Sequence, residues 1–206
     1  MVSRISDTGT EPRIEDRLPS SASTAVKIVI VGGFGVGKTT FVRSVSEIRP
    51  LTTEETMTQA GAGVDDLAGV ERKTATTVAM DFGRITLNDE LVLYLFGTPG
   101  QQRFWFLWNG LFDGALGAIV LVDTRRLEAG FDVIGRLEEA EVPFVIAINA
   151  FPDATSYLTE EVRGALDLPE SVPIVVCDAR ERPSSRDVLL SLMRHLRTSA
   201  TTSEST

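Results

Sequence analysis

Cysteine and histidine are almost absent from this chain, with one of each in 206 residues. A single Cys177 excludes an intrachain disulfide framework and suits a reducing compartment. Positive charge is also scarce: 20 Lys and Arg stand against 29 Asp and Glu, giving a net charge of −9 and a pI near 4.7. Without a basic patch, neither nucleic acid nor an anionic bilayer is expected as a general partner. No run is apolar and long enough to cross a bilayer, so direct membrane insertion is not expected. The termini show no secretory core; position 2 is Val2, not the glycine of N-myristoylation, and the Ser-Glu-Ser-Thr ending lacks a prenylation cysteine. The expectation is a cytoplasmic protein that meets a membrane only through partners. The lone His195, beside Arg194 and Arg197, reads as a helix-end cation and not as a catalytic base.

What the chain does contain is a phosphate-binding loop. Lys27 to Val31 is β-branched and strand-like, and Gly32-Gly33-Phe34-Gly35-Val36-Gly37-Lys38-Thr39-Thr40 follows with the pattern G-x-x-x-x-G-K-T. Glycines let backbone N–H groups converge on phosphate oxygens. Lys38 places an ammonium between the outer phosphates, and the Thr39 hydroxyl is a Mg²⁺ ligand. The helix that opens at Lys38 adds its unpaired N–H donors and positive dipole end. A glycine-rich turn in another α/β fold would share the composition, but the strand-to-helix context favours phosphate.

The rest of the chain alternates strands and helices, which predicts a doubly wound, mostly parallel sheet of about six strands with helices on both faces. Residues 1–24 and 199–206 are polar and aperiodic and are expected to be disordered, leaving a domain over 25–198. Expected strands are Val26 to Val31, Thr76 to Leu87, Leu91 to Phe96, Ala115 to Val122, Val145 to Asn149 and Val172 to Cys177. Asn88-Asp89 reads as a hairpin turn, so the second and third of these form one antiparallel pair. Helices are expected from Lys38 to Ile48, Leu127 to Ala140, Thr159 to Leu168 and Ser185 to Arg197, the last capped by Ser184 or Ser185. Leu51 to Lys73 reads as a long loop.

A second phosphate signal follows the strand ending at Phe96: Gly97-Thr98-Pro99-Gly100-Gln101-Gln102. The Gly100 N–H can sense a γ-phosphate, and Gln101 can orient an attacking water. A simple Pro-Gly turn is the competing reading. Together with the phosphate loop, the segments Phe96 to Trp105 (F-G-T-P-G-Q-Q-R-F-W) and Cys177-Asp178-Ala179-Arg180 give the chain the motif order of a Ras-like small GTPase over about Val26 to Arg197. More narrowly, it resembles the GTPases of actinobacterial conservon operons, relatives of bacterial gliding-motility GTPases. That resemblance implies GTP/GDP and Mg²⁺ as ligands and slow hydrolysis of GTP to GDP in a switch cycle. It also implies a roadblock/LC7-like protein and a sensor-kinase-like membrane protein as partners.

Three departures from the Ras-like pattern carry consequences. Gly97 replaces an aspartate that holds Mg²⁺ through water, so the metal is expected to have one fewer anionic partner, with Asp123 as a candidate substitute or a mere turn residue. The guanine-reading N-K-x-D appears as Asn149-Ala150-Phe151-Pro152-Asp153. Asp153 falls one position late and reads guanine only if the loop bulges; otherwise it is a surface turn residue. Phe151 would stack on the base. Asp178, Ala179 and Arg180 complete the base loop, with the Ala179 N–H a donor to guanine O6. Finally, Phe34 fills a position where a large ring would crowd the attacking water, so hydrolysis should be slow and Phe34→Gly faster.

In the first switch, Thr74, Thr76 and Thr77 compete as the residue that reaches Mg²⁺, with Thr77 favoured, although β-propensity alone explains all three. Arg72 is a candidate arginine finger or a solvated loop residue. Phe104 to Phe112 reads as apolar around its whole circumference; part must be core, and the remainder is expected to form an effector surface beside the sensor loop. Two other functions stay open: a nucleotide-binding adaptor with little turnover, and a P-loop ATPase or small-molecule kinase with Arg125-Arg126 as its lid.

Overall fold

The computed structural model of the protein describes residues 24–49, 51–58 and 75–203. Seven strands form one sheet: β1 (Thr24–Gly32), β2 (Leu51–Thr58), β3 (Ala75–Thr86), β4 (Leu91–Gly97), β5 (Ala115–Val122), β6 (Phe144–Asn149) and β7 (Ile174–Cys177). Their order is β2-β3-β4-β1-β5-β6-β7. β4, β1, β5, β6 and β7 are mutually parallel, whereas β3 runs antiparallel to both β4 and β2. This is the α/β doubly wound frame expected from the sequence, with β2 added at one edge in what reads as the start of a long loop. The strand is not legible because Leu51-Thr52-Thr53-Glu54-Glu55-Thr56 lacks apolar alternation and takes its ladder from β3.

Helices α1 (Lys38–Val45), α2 (Trp108–Phe112), α3 (Phe131–Glu139), α4 (Thr159–Ala165) and α5 (Arg182–Ser203) cover the two faces. The period-2 geometry of β1 divides its apolar side chains. Ile28 and Ile30 pack with Phe41 and Val42 of α1 and Val188 and Leu192 of α5. Val29 and Val31 meet Trp108, α3 and α4 on the other face. Burial of Ile28 to Val31 on both sides explains why β1 reads as a continuous apolar run.

Several boundaries differ from expectation. α5 begins at Arg182 and continues to Ser203, so its described part includes residues expected in a disordered tail. Neither serine caps it: Ser184 Oγ accepts from the Asp178 N–H at 2.9 Å, and Ser185 is fully buried against Ser44. The helix expected from Leu127 is a 3₁₀ segment, Thr124–Gly130, kinked at Arg126 before α3 begins. The turn at Asn88-Asp89 is present, with Asn88 Oδ1 accepting from the N–H groups of Glu90 and Leu91. Thr24, expected in the N-terminal arm, opens β1; residues 1–23, Arg72 and Thr74 lie outside the described residues.

Since five strands are parallel, the loops after β1, β4, β5, β6 and β7 all leave one edge of the sheet. β1 lies between β4 and β5, where successive connections go to opposite faces. Such a switch point is where open α/β sheets bind ligands.

Candidate functional site

The loop after β1 turns through Gly35 and Gly37, both at positive φ, and Gly37 in the left-handed region caps α1. Lys38 is buried, and its ammonium donates to the carbonyls of Gly32 at 2.8 Å and Gly33 at 2.7 Å. Burial pulls its pKa down to about 8, partly offset by the nearby carboxylate of Asp81. Thr39 Oγ1 donates to Asp81 Oδ2 at 2.5 Å. These groups border a cavity of about 370 Å³ whose rim includes Phe34, Arg43 and Thr98.

Asp81 answers the missing aspartate. It lies on β3 directly opposite Gly97 of β4, and a Cβ on Gly97 would sit 3.1 Å from the Asp81 Cβ. The side chain at one position of the ladder fills the space left by its partner. The site therefore does not lack a carboxylate beside the Thr39 hydroxyl, as Gly97 alone suggests. The substitute is Asp81, not Asp123. Asp123 is buried in its own network: Oδ1 accepts from the Arg125 backbone at 3.0 Å, and Oδ2 pairs with Arg125 Nη2 at 2.8 Å. Hydrogen bonds from Arg125 hold its carboxyl below the usual range. Thr39 and Asp81 are oxygen donors that could hold a hard cation such as Mg²⁺ together with the phosphates of a nucleotide.

The loop Thr98-Pro99-Gly100 folds back on the phosphate loop. The Thr98 N–H donates to Ile30 O at 2.9 Å, and the Pro99 carbonyl accepts from Trp108 Nε1 at 3.3 Å. A Cβ on Gly100 would meet Lys38 Nζ at 2.7 Å and the Phe34 Cα at 2.8 Å, so only glycine permits this contact. Gln101 follows in extended backbone, half-buried, and its carbonyl accepts from the Phe104 N–H. Phe34 is 67% exposed at the cavity mouth, and Val36 is buried. Thr40 is exposed on α1.

Asn149 joins three loops. Its Nδ2 donates to Val36 O of the phosphate loop at 2.9 Å, while its Oδ1 accepts from the Ala179 N–H at 3.0 Å. That N–H, expected to read guanine O6, thus has a partner within the protein. Asp178 pairs with Arg180 at 2.6 Å, and this bond brings its carboxyl down to about 2. Asp153 is exposed and paired to Arg125 Nη1 at 2.7 Å, and the Arg125 guanidinium also lies 4.0 Å from the centre of the Phe151 ring. Phe151 and Asp153 are therefore gathered around an arginine from the neighbouring loop. Thr77 sits within β3 opposite Thr56. Four residues of extended strand place its Cα roughly 13 Å from that of Asp81, so the structure does not bring it to the Thr39–Asp81 pair.

The aromatic segment after Gln101 is a 3₁₀ turn, Gln102–Leu107, followed by α2. Phe104, Trp108, Leu111 and Phe112 are buried, and Trp105 stacks under the Arg136 guanidinium at 4.6 Å. Only Phe106, 60% exposed, remains of the expected aromatic surface among the described residues of this segment. Most of the burial comes from α2, where Trp108, Leu111 and Phe112 stand three and four residues apart on one face, whereas Trp105 and Leu107 of the 3₁₀ turn are half-buried.

The sheet order, the glycine turn, the buried Lys38 and the Asn149 brace define a nucleotide-binding P-loop fold. The chain belongs to the family described as conserved hypothetical ATP binding protein, whose profile matches residues 30–199. An uncharacterized protein of Methanocaldococcus jannaschii is 32% identical over 126 residues, which is 60% of this chain and 69% of the relative. A Ras-related protein of Arabidopsis thaliana is 31% identical over 124 residues, covering 59% of this chain and 44% of its own length. The human EF-hand calcium-binding domain-containing protein 4B is 27% identical over 195 residues, 89% of this chain but 24% of the human protein. The chain thus spans less than half of the plant and human relatives. Among the described residues, no helix is long and apolar enough to cross a membrane.

Proposed function

We propose that this protein is a guanine-nucleotide switch that binds GTP and GDP with Mg²⁺ and hydrolyses GTP slowly. The observation that carries this is the Thr39–Asp81 pair beside Lys38 and Gly100. It puts a metal-binding hydroxyl, a carboxylate, a phosphate-binding ammonium and a backbone γ-phosphate sensor around one cavity. Gln101, next to Gly100, supplies the group that orients water, and Phe34 at the cavity mouth slows access to the γ-phosphate. The likeness to a Ras-related protein supports the same cycle. The narrower likeness to conservon GTPases makes a roadblock/LC7-like protein and a sensor-kinase-like membrane protein the partners we would test first.

A second reading is favoured by particular contacts. The Ala179 N–H is bonded to Asn149, Asp153 is paired with Arg125, and the family's description names ATP. An adenine nucleotide needs neither group. The deciding experiment is displacement of a fluorescent guanine nucleotide by GDP, GTP, ADP and ATP at matched Mg²⁺. Competition by guanine nucleotides alone supports the guanine switch, with Asp153 released from Arg125 to read the base. Equal competition by ADP and ATP makes the protein a P-loop ATP binder on a Ras-like frame.

A further inference from the structure

Arg126, which enters the sequence reading only as part of a candidate kinase lid, lies against the phosphate loop. It follows β5, the strand next to β1, in register with the loop's first residue: Gly32 is opposite Leu121. Its backbone, at φ −146° and ψ 53°, breaks the 3₁₀ segment and turns the residue away from the course of its neighbours. Nη2 donates to the Phe34 carbonyl at 3.3 Å and lies 3.6 Å from where a Cβ on Gly35 would begin. The same nitrogen is 3.5 Å from Asp123 Oδ2, the longest of that carboxylate's ion-pair contacts, while Arg125 holds Asp123 at 2.8 Å. Just over half of the Arg126 side chain is exposed.

Lys38 offers an internal comparison. This residue, whose phosphate-binding role follows from the motif, donates to the carbonyls of Gly32 and Gly33. Arg126 donates to the next carbonyl in the same loop. Two cations from opposite sides thus rest on three successive carbonyl oxygens. Phe34 borders both the nucleotide cavity and a smaller one of about 120 Å³ that Arg126 lines, so the Phe34–Gly35 peptide is the wall between them. Gly35 has no side chain to block a guanidinium crossing that wall. Asp123 loses little by releasing it, since Arg125 remains paired.

We propose that Arg126 is a second phosphate-binding cation, which crosses the Phe34–Gly35 peptide to contact the terminal phosphate of a nucleoside triphosphate and so favours triphosphate over diphosphate. The proposal rests on the cavity being the nucleotide site, whichever base it takes. A charge-assisted contact of this kind corresponds to about tenfold or more in affinity.

The test measures binding of di- and triphosphates of the same base to the full chain, as wild type, Arg126→Ala, Arg126→Lys and Arg194→Ala. The last removes an exposed positive charge on α5 as a control. The triphosphate-to-diphosphate affinity ratio is the readout, because a folding defect lowers both affinities together. The expected result is a ratio lowered about tenfold in Arg126→Ala, partly restored in Arg126→Lys and unchanged in Arg194→Ala. A ratio unchanged in Arg126→Ala, with both nucleotides still bound, overturns the proposal. So does a parallel fall in both affinities, which would make Arg126 a support for the loop. Failure of the wild type to bind any nucleotide would instead overturn the nucleotide-site reading, and the proposal with it.

Discussion

Replacing Asp81 with asparagine keeps the shape of the side chain and removes its charge. Asp81 is buried, accepts the Thr39 hydroxyl at 2.5 Å and faces the gap left by Gly97. An asparagine Oδ1 can still accept from Thr39, so the fold should survive. What disappears is the anionic group available to Mg²⁺. Loss of a charge-assisted hydrogen bond costs about 1.5–3 kcal/mol, or roughly ten- to a hundredfold in affinity. The assay is dissociation of a labelled nucleotide in excess Mg²⁺ and in EDTA. The wild type should release nucleotide far more slowly with Mg²⁺, and Asp81→Asn should lose roughly ten- to a hundredfold of that difference. The EDTA rates should be nearly equal. If the variant keeps the full Mg²⁺ effect, Asp81 is not the carboxylate of the metal site. The ladder also provides a rescue. Because residues 81 and 97 face each other, Asp81→Gly combined with Gly97→Asp moves the carboxylate across one strand and should recover much of the Mg²⁺ effect. Gly97→Asp alone should be destabilising, since its Cβ would begin 3.1 Å from the Asp81 Cβ and 3.3 Å from Oδ2.

Three other outcomes follow from the site and its support. Lys38 titrates at about 8 in the fold against an ordinary 10.5, so above pH 8 nucleotide affinity should fall by up to about tenfold per pH unit. Over the window between those values the unfolded chain binds the extra proton, and the contribution of Lys38 to folding stability rises with pH; chemical denaturation at several pH values, compared with Lys38→Met, checks the sign. Gly100→Ala should weaken nucleotide binding with little change in Tm, because its Cβ would collide with the Phe34 backbone at 2.8 Å and push the sensor loop off the phosphate loop; unchanged affinity would refute the contact. Trp108 is fully buried and donates to Pro99 O at 3.3 Å. Trp108→Ala should cost about 3–5 kcal/mol in urea unfolding, and a loss below about 1 kcal/mol would show that the core closes over the gap.

The sheet and the phosphate loop are legible in the chain because their signals are local. β-branched runs, a glycine turn of set spacing and the hairpin at Asn88-Asp89 each depend on near neighbours. Asp81 is harder to reach: counting outward from a two-residue Asn88-Asp89 turn pairs residue 81 with Phe96, whereas the loop also takes in Glu90, so Leu87 meets Leu91 and Asp81 meets Gly97. The carboxylate is missing from the usual strand but present at the same height on the next one, a relation visible only once register is considered. β2 has no apolar alternation to announce it, since its ladder depends on β3. The pairing of Asp153 with Arg125 joins positions 28 residues apart, and the contact of Arg126 with Phe34 spans 92. By itself the sequence determined that this chain binds phosphate on a parallel sheet, because glycine conformation and hydrophobic period act over a few residues. Only the tertiary structure decided which carboxylate meets Thr39 and which arginine meets the phosphate loop. Those choices belong to strand register and to loops brought together at one edge of the sheet.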